Sequence, residues 1–337
     1  MEITKSLLMA TSNSLKPLLD ELPRVNWWGD FALYQWEGFW YVPRHLEGAI
    51  EAQSHFKAHD ADVILASSMK TGTTWTKALV TCIMNRPCED SINGTDEAPV
   101  NGDPSKQLED PLVTKNPSAY VKTLEIHLYK GDPTPPDLSG IPSPRLFHTY
   151  MPYKVMPESI KNSECKIVYV TRNPKDTFVS LWHFMNSCRT AEQGPFPIEE
   201  AFESFCNGIH AFGPFFDHVI EYWNESFKRP EKLLMLKYEE LKIDPRREVK
   251  RLSSFLGKPL MKEEEIDHVL WNCSIDRLKN LDINKNGIDP WIGVANSSFF
   301  RLGAVGDWKN YFTSEMKERL DQLTRQKLQG SGVDLEI

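Results

Sequence analysis

The chain of 337 residues carries 39 basic and 47 acidic side chains, for a formal charge of −8. An acidic chain gains nothing at long range from a polyanionic duplex, which argues against nucleic acid as a partner and leaves room only for a local basic pocket around a small dianion. Apolar residues make up 40%, with ten Trp and seventeen Phe, enough to fill a sizeable core, and no low-complexity tract points to disorder.

Six cysteines lie scattered at positions 82, 88, 165, 188, 206 and 273, with no C-x-x-C pair of a zinc or redox site. Free thiols in a reducing compartment are the expectation, with no metal. The opening MEITKSLLMATSNSL has too short an apolar part for a signal peptide and carries Glu2 early. No run approaches the roughly 18 apolar residues of a membrane span. The chain therefore reads as cytoplasmic, with no membrane partner.

Residues 1–30 read as a short helix followed by a Trp-rich arm, ahead of a single domain over 31–337. Tyr34 to Tyr41 is dense in aromatics and suits a strand or a lid, and His45 to Phe56 a helix. Asp62 to Ser68 is a β-branched apolar run of the kind found at a sheet centre. A polar glycine-containing turn and an apolar helix from about Trp75 to Met84 follow. Asn85 to Asn116 and Pro133 to Pro144, rich in Pro, Asp, Asn and Gly, mark surface loops.

Strands are expected again at Arg145 to Thr149, Lys166 to Val170 and Leu233 to Tyr238. Helices are expected at Asn173 to Phe184, opening on Pro174, and at Ile198 to Ile209, Pro214 to Phe227 and Glu239 to Leu256. Alternating strands and helices imply an α/β fold with a parallel sheet flanked by helices on both faces.

The sharpest feature is the turn Lys70-Thr71-Gly72-Thr73-Thr74 between the first strong strand and its helix. Gly72 lets the backbone bend close to an anion, and a helix start offers unpaired N–H groups and a positive dipole end. Thr73 and Thr74 add hydroxyls, and Lys70 a mobile charge. In a Walker loop the Lys follows the second Gly and the Ser/Thr after it binds Mg²⁺. Here the Lys precedes the Gly, so the loop suits an anion held without metal, and a nucleotide kinase ranks below the readings that follow.

Three segments in order then resemble one family. The loop through Trp75 is similar to the P-K-S-G-T-T-W loop of the cytosolic sulfotransferases, which use 3′-phosphoadenosine 5′-phosphosulfate (PAPS) and release adenosine 3′,5′-bisphosphate (PAP). Val170-Thr171-Arg172-Asn173-Pro174-Lys175-Asp176 with Ser180, and Phe300-Arg301-Leu302-Gly303-Ala304-Val305-Gly306-Asp307-Trp308-Lys309, resemble its second and third motifs. The aromatic arm and the closing KLQGSG resemble the plant branch, whose members include sulfotransferases of flavonols and other small molecules.

The resemblance implies a P-loop-like sulfotransferase domain and a set of roles. Lys70 would stabilise charge on the departing phosphate, a preorganised cation being typically the largest catalytic contribution. Arg172 and Ser180, with Arg301 and Gly303, would hold the 3′-phosphate, a task that suits the guanidinium fork. Trp75 would stack on adenine with Tyr238 and Ser274 nearby, and Thr71, Gly72, Thr73 and Thr74 would line the phosphate loop. Gly306 and Trp308 are expected to be structural. The acceptor is a small molecule, with Phe184, Tyr150 and Trp40 as cavity walls.

The sequence departs from the family where the acceptor-activating His of T-H-x-P would stand: Thr149-Tyr150-Met151-Pro152 places Tyr150 there. An ordinary Tyr ionises near pH 10 against about 6.5 for His, so forming phenolate at pH 7 costs about 4 kcal/mol. His148 lies two residues upstream and, on an extended chain, on the same side, some ~6–7 Å away. It is the candidate for a displaced base or for a group that polarises Tyr150. Met69, Leu302 and Ile275 replace the loop Pro, a Lys beside Arg301 and a Phe against adenine.

The function expected is sulfuryl transfer from PAPS to a hydroxyl of a small specialised metabolite, phenolic, flavonoid-like or alcoholic. The alternatives are a sulfation that activates an alcohol for elimination or cyclisation, and an impaired relative that only binds PAPS. Lys309, Thr313 and Glu318 fit the spacing of the family's dimer contact, but Ser314 replaces its Val, so a monomer or weak homodimer is expected.

Overall fold

The computed structural model describes residues 9–29, 31–86, 110–131 and 134–335. Most of the loop expected over 85–116 lies outside them. After helix α1 (Lys16–Glu21), β1 (Arg24–Trp27), β2 (Phe31–Trp36) and β3 (Phe39–Tyr41) pair in that order as an antiparallel sheet. Residues 24–27 of the N-terminal segment thus join the aromatic stretch, which is a hairpin, and Trp27, Trp28, Phe31 and Phe39 are buried in the core.

Helix α2 (Pro43–His55) leads to the main sheet. Its strands are β4 (Val63–Ser67), β5 (Lys122–Thr123), β6 (Leu146–Thr149), β7 (Lys166–Thr171) and β8 (Leu233–Lys237), ordered β5-β6-β4-β7-β8 and parallel throughout. Every residue of β4 is buried, the signature of a strand covered on both faces. Its side chains alternate between two cores. Val63 and Leu65 face Leu79, Ile83 and Val249, while Ile64 and Ala66 face Phe147, Tyr169 and Phe178.

The helices on these faces are α3 (Thr73–Met84), α4 (Pro174–Ser187), α5 (Ile198–Cys206), α6 (Phe215–Lys228), α7 (Tyr238–Ile243) and α8 (Pro245–Phe255). They are followed by α9 (Glu263–Asn272), α10 (Ile275–Asn280) and α11 (Ser314–Leu328). The single helix expected over Glu239 to Leu256 is two. Pro245 forces Asp244 out of helical geometry (φ −135°, ψ 74°), and the Asp244 carboxylate then caps α8 by accepting from Arg247 N at 3.1 Å. At α4, Asn173 caps by accepting from Lys175 N, and Pro174 occupies the first turn, where no N–H is needed.

Four chain segments leave the carboxyl ends of adjacent strands on the same side of the sheet. They carry Lys70 after β4, Tyr150 after β6, Arg172 after β7 and Tyr238 after β8, the edge at which open α/β sheets place their ligands. The opposite edge is fixed by a buried ion pair. Arg145 donates from Nε to Asp62 Oδ1 at 2.8 Å and from Nη2 to Lys57 O at 2.9 Å, while Asp62 Oδ2 also accepts from His59 N at 2.8 Å. Asp62→Ala strands a buried guanidinium and is expected to cost about 3–5 kcal/mol in urea unfolding; an unchanged midpoint would contradict this reading.

Candidate active site

The βα turn after β4 makes two left-handed steps, at Lys70 (φ 66°) and Gly72 (φ 111°). A Cβ on Gly72 would lie 2.7 Å from the Tyr238 ring, so both backbone and space require glycine there. Gly72 is also the N-cap of α3 and offers no side-chain acceptor, which leaves the first N–H groups of that helix available to an anion.

This turn forms one wall of a cavity of ≈ 360 Å³. Of the residues assigned from sequence, Lys70, Gly72, Thr73, Thr74 and Trp75 border it. So do Tyr150, Arg172, Ser180, Phe184, Tyr238, Arg301 and Gly303. Three segments separated by about a hundred residues each are thereby brought together.

Lys70 keeps some cavity surface, but its ammonium stands deep in protein, 4.1 Å from the centre of the Phe184 ring and 5.8 Å from that of Phe299. Burial pulls it down to about 7; Arg172 and Arg301 push the same way, against the neighbouring Cys188. Phe184, expected as an acceptor wall, thus also supports the lysine through its π face.

Arg172 lies over the Tyr238 ring at 4.5 Å, donates from Nη2 to Ala304 O at 2.7 Å and approaches Asp176 at 3.5 Å. Arg301 is held by Asp307 at 2.6 Å. The Nε of each guanidinium is buried with no partner among the described residues, and an unmatched buried donor of this kind is what an anionic ligand would satisfy.

Asp176 accepts from Gly306 N at 2.7 Å and Trp308 N at 3.0 Å, tying the C-terminal loop to α4. That bond gives the glycine and tryptophan of the third motif the structural part expected for them. Gly303 (φ 63°) packs so tightly on Ile275 that a Cβ would come within 2.4 Å of Cδ1. Trp75 and Tyr238 meet edge to face at 5.6 Å, next to Ile275.

Four assignments stand elsewhere. The Thr71 hydroxyl is turned into the core and donates to Ser68 O and Val170 O, both at 2.9 Å, so it braces the turn instead of facing the cavity. Ser274 caps α10, accepting from Arg277 N at 3.4 Å, and its neighbour Ile275 reaches the cavity in its place. Trp40 is buried on β3, where its backbone N–H donates to Gly213 O, and the hairpin presents Trp27 and Phe31 to the cavity. His148 is fully buried behind the wall, with Nε2 3.1 Å from Ser67 Oγ and Nδ1 2.9 Å from Thr123 Oγ1, and burial holds its pKa well below the ordinary value. It cannot touch an acceptor directly.

Tyr150 does face the cavity. Its ring stands edge to face on His148 at 4.4 Å and against Phe212 at 5.2 Å. Its backbone is held from two sides, N–H donating to Glu125 Oε1 at 2.7 Å and C=O lying 2.9 Å from His218 Nε2. Burial raises its phenol above 10, opposed by a side-chain hydrogen bond with Thr73.

Three functional groups carry no sequence signal of their own. Glu125, on a π-helical turn (Leu124–Leu128) after β5, positions Tyr150 and Thr149, and burial pushes its carboxyl up to about 7 against those hydrogen bonds. Lys77, one turn into α3, and Asp289 both border the cavity. Burial pulls Lys77 down to about 7, while Glu125 and Asp289 favour its charged form. Only the fold brings β5, α3 and residue 289 together.

Comparison with known proteins matches this geometry. Residues 60–332 match the sulfotransferase domain model. Cytosolic sulfotransferase 6 of Arabidopsis thaliana is 40% identical over 326 residues, covering 96% of this chain and 95% of that protein. Among solved structures, an Arabidopsis thaliana putative steroid sulphotransferase superposes with a TM-score of 0.73 at 34% identity, over 97% of this chain and 99% of that one. Mouse sulfotransferase SULT7A1, complexed with PAP, superposes with a TM-score of 0.66 at 25% identity, over 89% and 95% of the two chains. The chain belongs to the sulfotransferase family and is a PAPS-dependent enzyme of the cytosolic, plant type.

The state of Lys70 gives a test of the anion cradle. In the free protein it titrates near 7, and a bound polyanion favours the ammonium, so its pKa rises on binding. Binding therefore takes up protons above pH 7, and affinity falls as pH rises. Calorimetry of PAP binding at pH 8 in buffers of different ionisation enthalpy is expected to show uptake of close to ~1 proton, lost in Lys70→Met. Uptake that persists in the variant would assign it to another group.

Proposed function

We propose that this enzyme transfers the sulfuryl group of PAPS to a phenolic hydroxyl of a small specialised metabolite, with Tyr150 at the position where the family's base normally stands. The observation that carries this reading is the cluster of Lys70, Arg172 and Arg301 around the Gly72 turn, two of its members with unmatched buried Nε donors, opening on the same cavity as Tyr150.

The residues present fit PAPS. Arg172, Ser180, Arg301 and the backbone at Gly303 would hold the 3′-phosphate, whose oxygens would accept from the two unmatched Nε donors. Trp75, Tyr238 and Ile275 form the slot for adenine. The Gly72 turn, Thr73, Thr74 and the first N–H groups of α3 receive the 5′ anion. PAPS, when bound, supplies an activated sulfuryl group. Lys70, charged once an anion is present and aimed by Phe184, stabilises negative charge where it grows.

The acceptor occupies the apolar remainder, where Trp27, Phe31 and Phe212 provide flat walls and exclude water. A phenol suits this site better than an alcohol because its hydroxyl, with a pKa of about 10, loses a proton with little help. We also assign residues 1–30 as an arm whose residues 24–27 pair onto the domain over 31–337, and a monomer or weak homodimer, Lys309, Thr313 and Glu318 being exposed along one stretch.

Incubation with PAPS and a panel of phenols and alcohols, read by mass spectrometry, is expected to give sulfated phenols and little sulfated alcohol. Tyr150→His, which restores an imidazole, is expected to raise kcat at least ~tenfold with alcohols and less with acidic phenols. No binding of PAP by calorimetry, or no product from any phenol, would overturn the assignment.

A further inference from the structure

A tyrosine at the base position leaves the acceptor's proton without an obvious destination, and the structure holds a path of polar groups behind it that runs from Thr73 to Lys77. Tyr150 and Thr73 both border the cavity, and the Thr73 side chain acts on the Tyr150 phenol, favouring its ionised form. Thr73 Oγ1 lies 2.8 Å from Ser67 Oγ, which lies 3.1 Å from His148 Nε2. On the far side of the imidazole, Nδ1 lies 2.9 Å from Thr123 Oγ1, and Thr123 Oγ1 lies 3.2 Å from Lys77 Nζ. Ser67, Thr73, Thr123, His148 and Lys77 are all buried. Ser67 and His148 lie behind the wall, while Thr73, Thr123 and Lys77 also border the cavity, so the buried stretch connects two points of that cavity.

We propose that these groups form a proton relay, with Lys77 as the residue that takes up the proton released by the acceptor; the assignment rests on the sulfuryl-transfer reading above. In the resting arrangement Tyr150 donates to Thr73, Thr73 to Ser67 and Ser67 to His148 Nε2. His148 Nδ1–H donates to Thr123, and Thr123 to the lone pair of a neutral Lys77. The acceptor oxygen forms its bond to sulfur, and the electron pair of the broken S–O bond leaves with PAP. The acceptor proton moves to the Tyr150 oxygen as the phenolic proton moves to Thr73, and each later proton advances by one group. The end state is one ammonium at Lys77, every other group in the path being neutral again. Tyr150 never has to exist as free phenolate.

Lys77 is a better terminus than His148. An imidazolium at His148 would have only hydroxyl partners in a fully buried place. Lys77 also has hydroxyl partners, Thr123 and Ser118 at 3.4 Å, and makes no ion pair among the described residues. The carboxylates of Glu125 and Asp289 nevertheless stabilise its charge, and the other titratable groups facing it are His127 and His148, both held neutral by burial. Burial draws Lys77 to about 7, so neutral amine is available at physiological pH. Because Lys77 borders the cavity, its proton can leave with solvent once product departs.

Two measurements test the relay. Histidine-selective ¹⁵N labelling of the full chain, with the His148 signals identified by their loss in His148→Gln, reads the path without turnover. The His148 nitrogens are expected to shift in one transition near pH 7 that disappears in Lys77→Met. A transition that persists in the variant, or none in the parent, overturns the relay whether or not any phenol is sulfated. With a sulfated phenol in hand, kcat is expected to rise through pH 7 to a plateau, and Lys77→Met to lose that limb and at least ~tenfold in kcat with PAP affinity kept. Adding Tyr150→His to Lys77→Met should restore turnover, since imidazole takes the proton itself; failure of that rescue in a variant that binds PAP and melts like the parent would show that Lys77 serves another purpose.

Discussion

Positive charge gathered in a place with little water governs this molecule. Lys70, Arg172 and Arg301 come from three distant segments and converge at the carboxyl edge of one sheet, where Asp176 and Asp307 are the ion-pair partners of the two arginines among the described residues. Neither acid neutralises Lys70, which leans instead on the faces of Phe184 and Phe299. An aromatic face steadies a cation without cancelling it. The site therefore stays short of negative charge until a polyanion arrives, and the helix start beside it adds to the same deficit.

The acceptor half obeys a different rule. Thr73, Ser67, His148 and Thr123 bond to one another along the wall, while the Tyr150 ring faces the cavity. Glu125 and His218 fix the Tyr150 backbone from opposite sides, which sets where the phenol points. Positional control of this kind matters where the reactive group is intrinsically weak, because orientation then carries more of the rate.

Sequence disclosed the parts of this arrangement that are local. The turn at Lys70–Gly72 could be read because strand, turn and helix start are contiguous, and each residue type there answers one need of an anion. The central strands could be read because a strand covered on both faces is apolar throughout. What stayed hidden depends on direction and distance. Thr71 looks like its neighbours until its hydroxyl is seen to face inward. Trp40 and Phe31 are equivalent in composition, and only hairpin register sends one away from the cavity. Strand β5 is two residues long, too short for a period-two pattern, and with it went Glu125. Lys77 reads as one more helix lysine until β5 and Asp289 close over it.

The fastening of the third motif to Asp176 bears on how the protein comes into being. Backbone donors at Gly306 and Trp308 complete a pocket whose first piece, the Gly72 turn, is made more than two hundred residues earlier. A chain emerging from the ribosome thus has its catalytic strand long before it has the guanidinium of Arg301 or the loop that braces Arg172. A chain that lacks Arg301 cannot complete the anion site, and the capacity to hold nucleotide arrives only once residues 301–308 are made. Ligand in the cell would then act as a late fastener on a molecule whose sheet is already made, and never as a template for its early folding.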